Sequence, residues 1–176
     1  KVFLGIAKQF IFEKEFTLWH ATSAQEAKEI KAALGSELQI KVAKNLSSAI
    51  CPRNNGSKQE GELNLVFISR IAEKKNLLFI LELLAALEGD KNIHLSIYGP
   101  IEDALYWDKC KALLEGNSKL SYKGVLKPEE INKTLQQYHF YILPTLHENY
   151  GHSIIEAIQS GVPVIISNKT PWRGLK

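Results

Sequence analysis

The sequence is poor in the residues that build disulfide frameworks and zinc sites. Its 176 residues include two cysteines, Cys51 and Cys110, and no methionine. The cysteines lie far apart and form no Cys-x-x-Cys pattern, which argues against a zinc site and against a small disulfide-stapled domain. We therefore interpret both as reduced thiols. Because the chain lacks an initial methionine and stops at "WRGLK", we expect it to be a piece of a longer protein.

Long apolar runs and strong charge bias are also lacking. No stretch reaches the roughly 18 apolar residues of a membrane-spanning helix, and the first residues do not resemble a secretory signal. The predicted location is therefore cytoplasmic. The net charge of +3 is small and spread along the chain, so we expect no nucleic-acid partner. A hydrophobic content of 45% is enough for one full core.

Residues typical of metal sites are sparse as well. His147 and His152 are five positions apart without a third ligand at helical spacing, and no Asp-x-Asp pair follows a strand. We therefore predict no metal site. The charge of an anionic ligand would then have to be balanced by basic side chains.

What the sequence does contain is a regular alternation of strands and helices. Short apolar strands at 17–22 and 38–43 flank a helix capped by Ser23, and a polar linker follows over 45–61. Beyond the linker, apolar runs predict strands at 63–69, 93–99, 120–124, 140–144 and 163–167. Helices are predicted over 75–87, 103–114 and 128–138, and around Glu156. This pattern indicates an α/β fold with a doubly wound, Rossmann-like parallel sheet.

Ligands bind such sheets outside the carboxyl ends of the strands, where loops lead into helices. The first of these loops carries Arg70 and Lys75, which could clamp a diphosphate or could form a solvated basic turn. Gly99 ends the next predicted strand, where either a close backbone approach or ordinary turn chemistry explains it. Glu102 and Asp103 fit a helix start.

Two further loops carry candidate contacts. Gly124, Val125 and Leu126 could offer backbone to a flat ring, although a tight turn explains them equally well. The loop after the fourth strand is the richest, and Glu156 lies among apolar residues in the following helix, so its carboxylate needs a partner. Glu148 could complement the helix dipole instead, and Glu156 could be an exposed acid. The candidate contacts in this loop and the following helix are Glu148, Asn149, Tyr150, Gly151, His152 and Glu156.

Taken together, these segments resemble the retaining glycosyltransferases of the group 1 (family 4) class, whose GT-B arrangement has two Rossmann-like domains. The resemblance covers about residues 17–172. It rests on "HATSAQEAKEIKAALG", "LVFISRIAEKKNL", "LSIYGP", "YKGVLKPEEI" and, above all, "LPTLHENYGHSIIEAIQSGVPVIIS". In that family two glutamates separated by seven residues form a signature, and Glu148 and Glu156 have this spacing.

The resemblance implies roles for the candidates. Arg70 and Lys75 would bind the donor diphosphate, Glu148 would contact the sugar hydroxyls, and Glu156 would accept hydrogen bonds from the ribose. The turn at 124–126 would hold the base, and helix-start amides would meet the sugar and phosphate, namely those of Asn149, Tyr150, Gly151 and His152. Catalysis would be metal-independent, without a cofactor, by a front-face displacement that retains anomeric configuration.

The resemblance also implies a domain plan and partners. Residues 1–44 would be the last segments of an amino-terminal acceptor domain, and 62–176 a nucleotide-sugar-binding domain truncated at its carboxyl end. The donor would be a UDP- or GDP-linked sugar, and the acceptor a glycan or lipid-linked glycan in surface polysaccharide or lipopolysaccharide synthesis. Peripheral association of the full-length protein with the inner face of the membrane is a further expectation.

Departures from the family and alternatives bear on this interpretation. Ser69 stands where the family often has glycine, and "NYG" replaces the commoner "GFG", so the fit of the sugar could differ. We expect the fragment alone to bind nucleotide but to transfer little. A sugar-nucleotide epimerase of the same architecture and a non-catalytic nucleotide-sugar-binding module remain alternatives.

Overall fold

The structure is a computed structural model that describes residues 18–43, 61–87 and 92–172. The chain divides into two compact units, Lys1–Leu46 and Ser47–Lys176. Nearly all of the predicted linker lies outside the described residues, as does Cys51.

The first unit contains two parallel strands and one helix. Strands β1 (Leu18–Ala21) and β2 (Gln39–Val42) pair in parallel, and helix α1 (Ala24–Leu34) connects them. The predicted cap is confirmed, because the Glu26 amide donates to Ser23 Oγ at 3.1 Å. Such a cap satisfies one of the amides that the first helical turn leaves without a partner.

The second unit is a five-stranded parallel sheet with helices. Its strands lie in the order β5-β4-β3-β6-β7. They are β3 (Leu63–Ile68), β4 (Ile93–Tyr98), β5 (Leu120–Tyr122), β6 (Phe140–Leu143) and β7 (Val164–Ile166). The helices are α2 (Leu77–Ala86), α3 (Ala104–Leu114), α4 (Pro128–Leu135) and α5 (His152–Gln159). The predicted α/β fold is confirmed.

The central strand explains why the sheet is covered on both faces. In β3 the consecutive residues Leu65, Val66, Phe67 and Ile68 are all buried, although successive side chains point to opposite faces. Helix α2 buries Leu77, Ile80, Leu81 and Leu84 in the same core. A strand that is apolar on both faces is stable only between two layers, which places β3 in the middle of the sheet.

Three predicted boundaries are wrong, for local reasons. Lys75 does not begin a long helix: it ends a separate 3₁₀ turn, Glu73–Lys75, because Asn76 adopts a left-handed conformation with φ of 57°. Helix α4 ends at Leu135 because the Gln137 and Tyr138 amides bond three residues back, to the carbonyls of Thr134 and Leu135. Strand β5 ends at Tyr122, before Gly124 with its positive φ of 86°.

Helix α3 has a side-chain cap and supports a neighbouring helix. Asp103 Oδ1 accepts the Tyr106 amide at 3.0 Å, which confirms the predicted helix-start role of Asp103. The Tyr106 hydroxyl in turn accepts the Leu78 amide of α2 at 2.8 Å. Within the described residues, no helix is long and apolar enough to cross a membrane.

Candidate functional site

A cavity of about 400 Å³ lies where the strands of the second unit end and its helices begin. It is lined by Ile68, Ser69, Arg70, Lys75, Gly99, Pro100, Val125, Leu126, Ile131, Glu148, Gly151, His152, Ser153 and Glu156. Parallel strands present their carboxyl ends at one edge, so loops distant in sequence meet there. Four such loops contribute to this cavity, as the sequence predicts.

Most of the predicted site residues meet in this cavity. Nine of them line it, namely Arg70, Lys75, Gly99, Val125, Leu126, Glu148, Gly151, His152 and Glu156. The other three lie nearby in the fold but are not among the lining residues. Asn149 Oδ1 is 2.7 Å from His147 Nε2, Tyr150 packs against Trp172, and the Gly124 carbonyl accepts the Gly99 amide at 2.9 Å.

Lys75 and Glu148 form an ion pair that is almost fully buried. Their side chains retain 11% and 13% of their exposure, and Lys75 Nζ donates to Glu148 Oε2. The two residues come from different loops, so their meeting depends on how those loops are held. Because removing either partner would leave a charge with little water, this pair is costly to break.

Hydrogen bonds between the two loops hold this pair in place. The hydroxyl of the buried residue Thr145 donates to the Lys74 carbonyl at 3.1 Å, and the Leu146 amide donates to the same carbonyl at 2.9 Å. The left-handed residue Asn76 donates through its side-chain amide to the Pro144 carbonyl at 3.2 Å. These bonds fasten the 3₁₀ turn to the loop that carries Glu148.

Arg70 is paired as well, but at the surface. Its guanidinium donates to Glu102, and the side chains are 59% and 49% exposed. The pair bridges the loops after β3 and β4, which are also joined by a backbone bond from Ile71 to Pro100 at 2.8 Å. Exposed pairs of this kind contribute little stability. Sequence reasoning placed Glu102 at a helix start and missed it as the partner of Arg70.

Gly99 is required by a close approach between two strand ends. A Cβ atom at this position would lie 1.8 Å from the Ser69 carbonyl oxygen, and the φ of +143° is unfavourable for other residues. The Gly99 carbonyl also accepts the Tyr122 hydroxyl at 2.9 Å. The close approach that the sequence suggested is therefore made to the backbone of Ser69, at the edge of the cavity.

Helix α5 begins at the cavity wall. Gly151 precedes it with a φ of +79°, and a Cβ there would come within 2.7 Å of Ile154 Cδ1. One turn further along, burial raises the pKa of the Glu156 carboxyl, while the nearby His152 lowers it. A half-buried acid facing a cavity is ready to accept hydrogen bonds from a ligand.

A buried tyrosine beneath the cavity was not predicted. Tyr141 on β6 has no exposed surface, and its hydroxyl lies 2.7 Å from Ser153 Oγ and 3.2 Å from the Ile68 carbonyl. Burial raises the pKa of this phenol, so it remains a neutral hydrogen-bond donor. One signal was available: a tyrosine inside an apolar strand needs a partner for its hydroxyl.

Metal-ligating side chains are not gathered anywhere in the described part of the chain. Among the residues in the ranges given above, no group of three or more His, Cys, Asp or Glu side chains could hold a metal ion. Cys110 is a buried free cysteine, and burial raises the pKa of its thiol to about 11.

Three curated or solved proteins illustrate what the chain is similar to. It is 29% identical over 130 residues to 2-deoxystreptamine N-acetyl-D-glucosaminyltransferase of Niallia circulans, covering 70% of this chain and 33% of that protein. It is also 29% identical over 111 residues to GDP-mannose:cellobiosyl-diphosphopolyprenol alpha-mannosyltransferase of Xanthomonas oryzae pv. oryzae, covering 61% and 29%. The chain thus spans about a third of the length of these curated relatives.

The fold is shared with solved GT-B glycosyltransferases. HepE of Anabaena, crystallised with UDP-glucose, superposes with a TM-score of 0.76 at 16% identity, covering 95% of this chain and 49% of HepE. At this identity the likeness establishes the fold alone. The sequence match is more specific: residues 52–174 match the family described as "Glycosyl transferases group 1". This match covers well over half of the chain, which therefore belongs to the group 1 glycosyl transferases.

Proposed function

We propose that this chain is the donor-binding part of a retaining hexosyltransferase, which moves a sugar from a UDP- or GDP-linked donor to an acceptor hydroxyl. The observation that carries the proposal is the convergence of two cations, two acids and a helix start on one cavity at the strand ends. Catalytic roles are assigned to Arg70, Lys75 and Glu148.

The cations serve the leaving group. When the bond between the anomeric carbon and the diphosphate oxygen breaks, negative charge develops on the nucleoside diphosphate. Arg70 and Lys75 line the cavity beside the start of helix α5, whose positive end also favours anions. Fixed positive groups aimed at this developing charge lower the barrier to its departure. The proposed reaction accordingly needs no metal ion or cofactor.

The acids and the remaining groups orient the donor. Glu148 is assigned to the sugar hydroxyls and Glu156 to the ribose. The backbone amides of the loop at 149–152 are assigned to the sugar and phosphate. The turn of Gly124, Val125 and Leu126 is assigned to the base. Val125 is 64% exposed and lines the cavity with Leu126, which supports an apolar face for a flat ring. Glu148 keeps its bond to Lys75 in this arrangement, so it orients the sugar while it holds the lysine.

The acceptor and the wider role extend the proposal beyond this chain. The relative from Xanthomonas is described as acting on a cellobiosyl-diphosphopolyprenol, a lipid-linked glycan. We propose an acceptor of that class, bound by a domain outside the donor-binding part, in surface glycan synthesis. Cytoplasmic location and peripheral membrane association remain predictions. The family match is to transferases, which favours transfer over the epimerase and the binding-module alternatives.

The test is calorimetric titration of the chain with UDP, GDP and ADP. Binding of UDP or GDP is expected to weaken about ten-fold or more in Glu156→Ala and in Arg70→Ala, because each removes a hydrogen bond to or from a charged group. Lys111→Ala is the matched control, since Lys111 and Glu115 form an exposed ion pair like that of Arg70, outside the cavity lining.

The outcomes distinguish binding in the cavity from attraction to the overall charge of the protein. Unchanged affinity in both site variants would remove the assignment of Arg70 and Glu156. Equal weakening in Lys111→Ala would mean that overall charge, and not the site, governs binding. Formation of a free sugar epimer without any acceptor would replace transfer with epimerisation.

A further inference from the structure

We propose that the Ser153 hydroxyl is an additional hydrogen-bond donor to the diphosphate of the donor, and that the buried Tyr141 fixes its direction. This inference rests on the proposed function, because it assigns a further binding residue in the same cavity. Neither residue was assigned a role by the sequence patterns.

Ser153 lies at the point where an anion would bind. It is the second residue of helix α5 and lines the cavity together with Arg70 and Lys75. The Ile154 and Ile155 amides of this helix both bond to the Gly151 carbonyl, at 3.0 and 3.2 Å. These bonds fix the backbone of the first helical turn, which carries Ser153. A hydroxyl in this position can therefore add to the attraction that the helix start itself exerts on an anion.

Tyr141 determines what the Ser153 hydroxyl can do. A phenol carries one hydrogen, and the shorter of its two contacts is the 2.7 Å contact to Ser153 Oγ. When Tyr141 donates along this contact, Ser153 Oγ accepts and its own hydrogen must point elsewhere. Within the described part of the chain, Tyr141 is the only hydrogen-bond partner of this hydroxyl. The open direction is therefore the cavity that Ser153 lines.

Burial makes this arrangement persistent. Tyr141 has no exposed surface, so its hydroxyl exchanges no hydrogen bonds with bulk water. Its other neighbour is the carbonyl of Ile68, which is the last residue of β3 and also lines the cavity. The phenol thus lies between the end of β3 and the start of α5 and holds the Ser153 oxygen in place. This support limits the movement of the serine before the ligand arrives, which reduces the entropy that binding must overcome.

The charge of the ligand favours one hydrogen arrangement. In the alternative, Tyr141 donates to the Ile68 carbonyl and Ser153 donates to the Tyr141 oxygen, so the cavity receives only a hydroxyl lone pair. An anion repels that lone pair and is attracted to an O–H group. A diphosphate in the cavity therefore selects the arrangement in which Tyr141 donates to Ser153 and Ser153 donates to phosphate.

The experiment is calorimetry on the chain with inorganic pyrophosphate and with UDP, GDP and ADP. Ser153→Ala is expected to weaken the binding of pyrophosphate and of the nucleotide by the same factor. That factor is about ten-fold, the effect of one hydrogen bond to a charged group. Ser153→Thr keeps the hydroxyl and is expected to restore most of the affinity. Tyr141→Phe is expected to weaken binding by a smaller factor, since the serine remains but loses its orientation.

A double-variant cycle distinguishes positioning from general support. If Tyr141 acts through Ser153, Tyr141→Phe has no further effect on binding in the Ser153→Ala background, whereas an independent structural role gives additive losses. Additive losses, or wild-type affinity of Ser153→Ala for pyrophosphate and nucleotide alike, would overturn the inference. Wild-type protein that binds pyrophosphate but no nucleotide would overturn the proposed function alone, with Ser153 still tested on pyrophosphate. Wild-type protein that binds neither overturns both.

Discussion

Replacing Gly99 with alanine should destabilise the second unit strongly, even though the change adds one methyl group. The new Cβ would lie 1.8 Å from the Ser69 carbonyl oxygen and 2.7 Å from its carbonyl carbon. Both neighbours are backbone atoms of the residue that directly follows the central strand β3, and they cannot rotate away as a flexible side chain would. The strand ends must therefore separate to accommodate the methyl group.

The size of the effect follows from what that separation breaks. Alanine at a φ of +143° is strained by about 1–2 kcal/mol. Moving the strand ends apart also weakens two backbone hydrogen bonds, from Ser69 to Tyr98 at 3.1 Å and from Gly99 to Gly124 at 2.9 Å. Each contributes about 1 kcal/mol. The free energy of unfolding should thus fall by about 3–4 kcal/mol, a large part of the roughly 5–15 kcal/mol of a typical domain.

The assay is urea unfolding followed by circular dichroism, with Gly116→Ala as the matched control. Gly116 has a positive φ of +79° but no atom within 4 Å of an added Cβ. It therefore reports the conformational strain alone, about 1–2 kcal/mol. A loss in Gly99→Ala no larger than that in Gly116→Ala would refute the argument that the contact with Ser69 demands glycine.

Two further predictions concern the charged residues of the cavity. Lys75→Met leaves the buried Glu148 unpaired and should lower the free energy of unfolding by about 3–5 kcal/mol. The double variant Lys75→Met/Glu148→Leu should recover most of this loss. Urea unfolding measures both, and a loss in Lys75→Met no greater than that in Lys111→Ala would contradict the prediction. Glu156→Gln should become increasingly more stable than wild type as the pH rises. Burial raises the pKa of the folded Glu156 carboxyl. The stability that this carboxyl contributes in wild type is therefore fully present below its unfolded pKa of about 4.3 and is lost as the pH rises through the folded pKa. Unfolding midpoints at about pH 4 and pH 7 test this, and a constant difference would count against it.

Much of the fold and the composition of the cavity could be predicted because they depend on local patterns. The apolar run at β3 indicates a doubly covered central strand, and Asp103 occupies the cap of α3 as expected from its side chain. Once the strands are known to be parallel, their carboxyl ends must converge. This rule alone brings Arg70 and Glu148 to one cavity, although they lie on different loops.

The pairings within the cavity could not be predicted, because they depend on distances between loops. Lys75 meets Glu148 across 73 positions, and nothing in either segment distinguishes that pair from a lysine bound to solvent. The left-handed Asn76, which separates Lys75 from helix α2, is equally hard to foresee, since its side-chain bond to Pro144 forms only after β6 is in place. Helical spacing therefore placed Lys75 on the wrong element.

Exposure decides which of the two ion pairs an anionic ligand can displace. Arg70 and Glu102 are about half exposed, so their attraction is screened by water and breaking it costs about 0–1 kcal/mol. Lys75 and Glu148 are nearly buried, and separating them would leave Glu148 uncompensated. Under the proposed function, a diphosphate should therefore replace Glu102 at Arg70. It should not replace Glu148 at Lys75, because the ammonium group has three donors and can bind the carboxylate and a phosphate oxygen together. The cost of freeing a cation for the ligand is thus confined to the exposed pair, and the buried pair keeps Lys75 positioned before the donor binds.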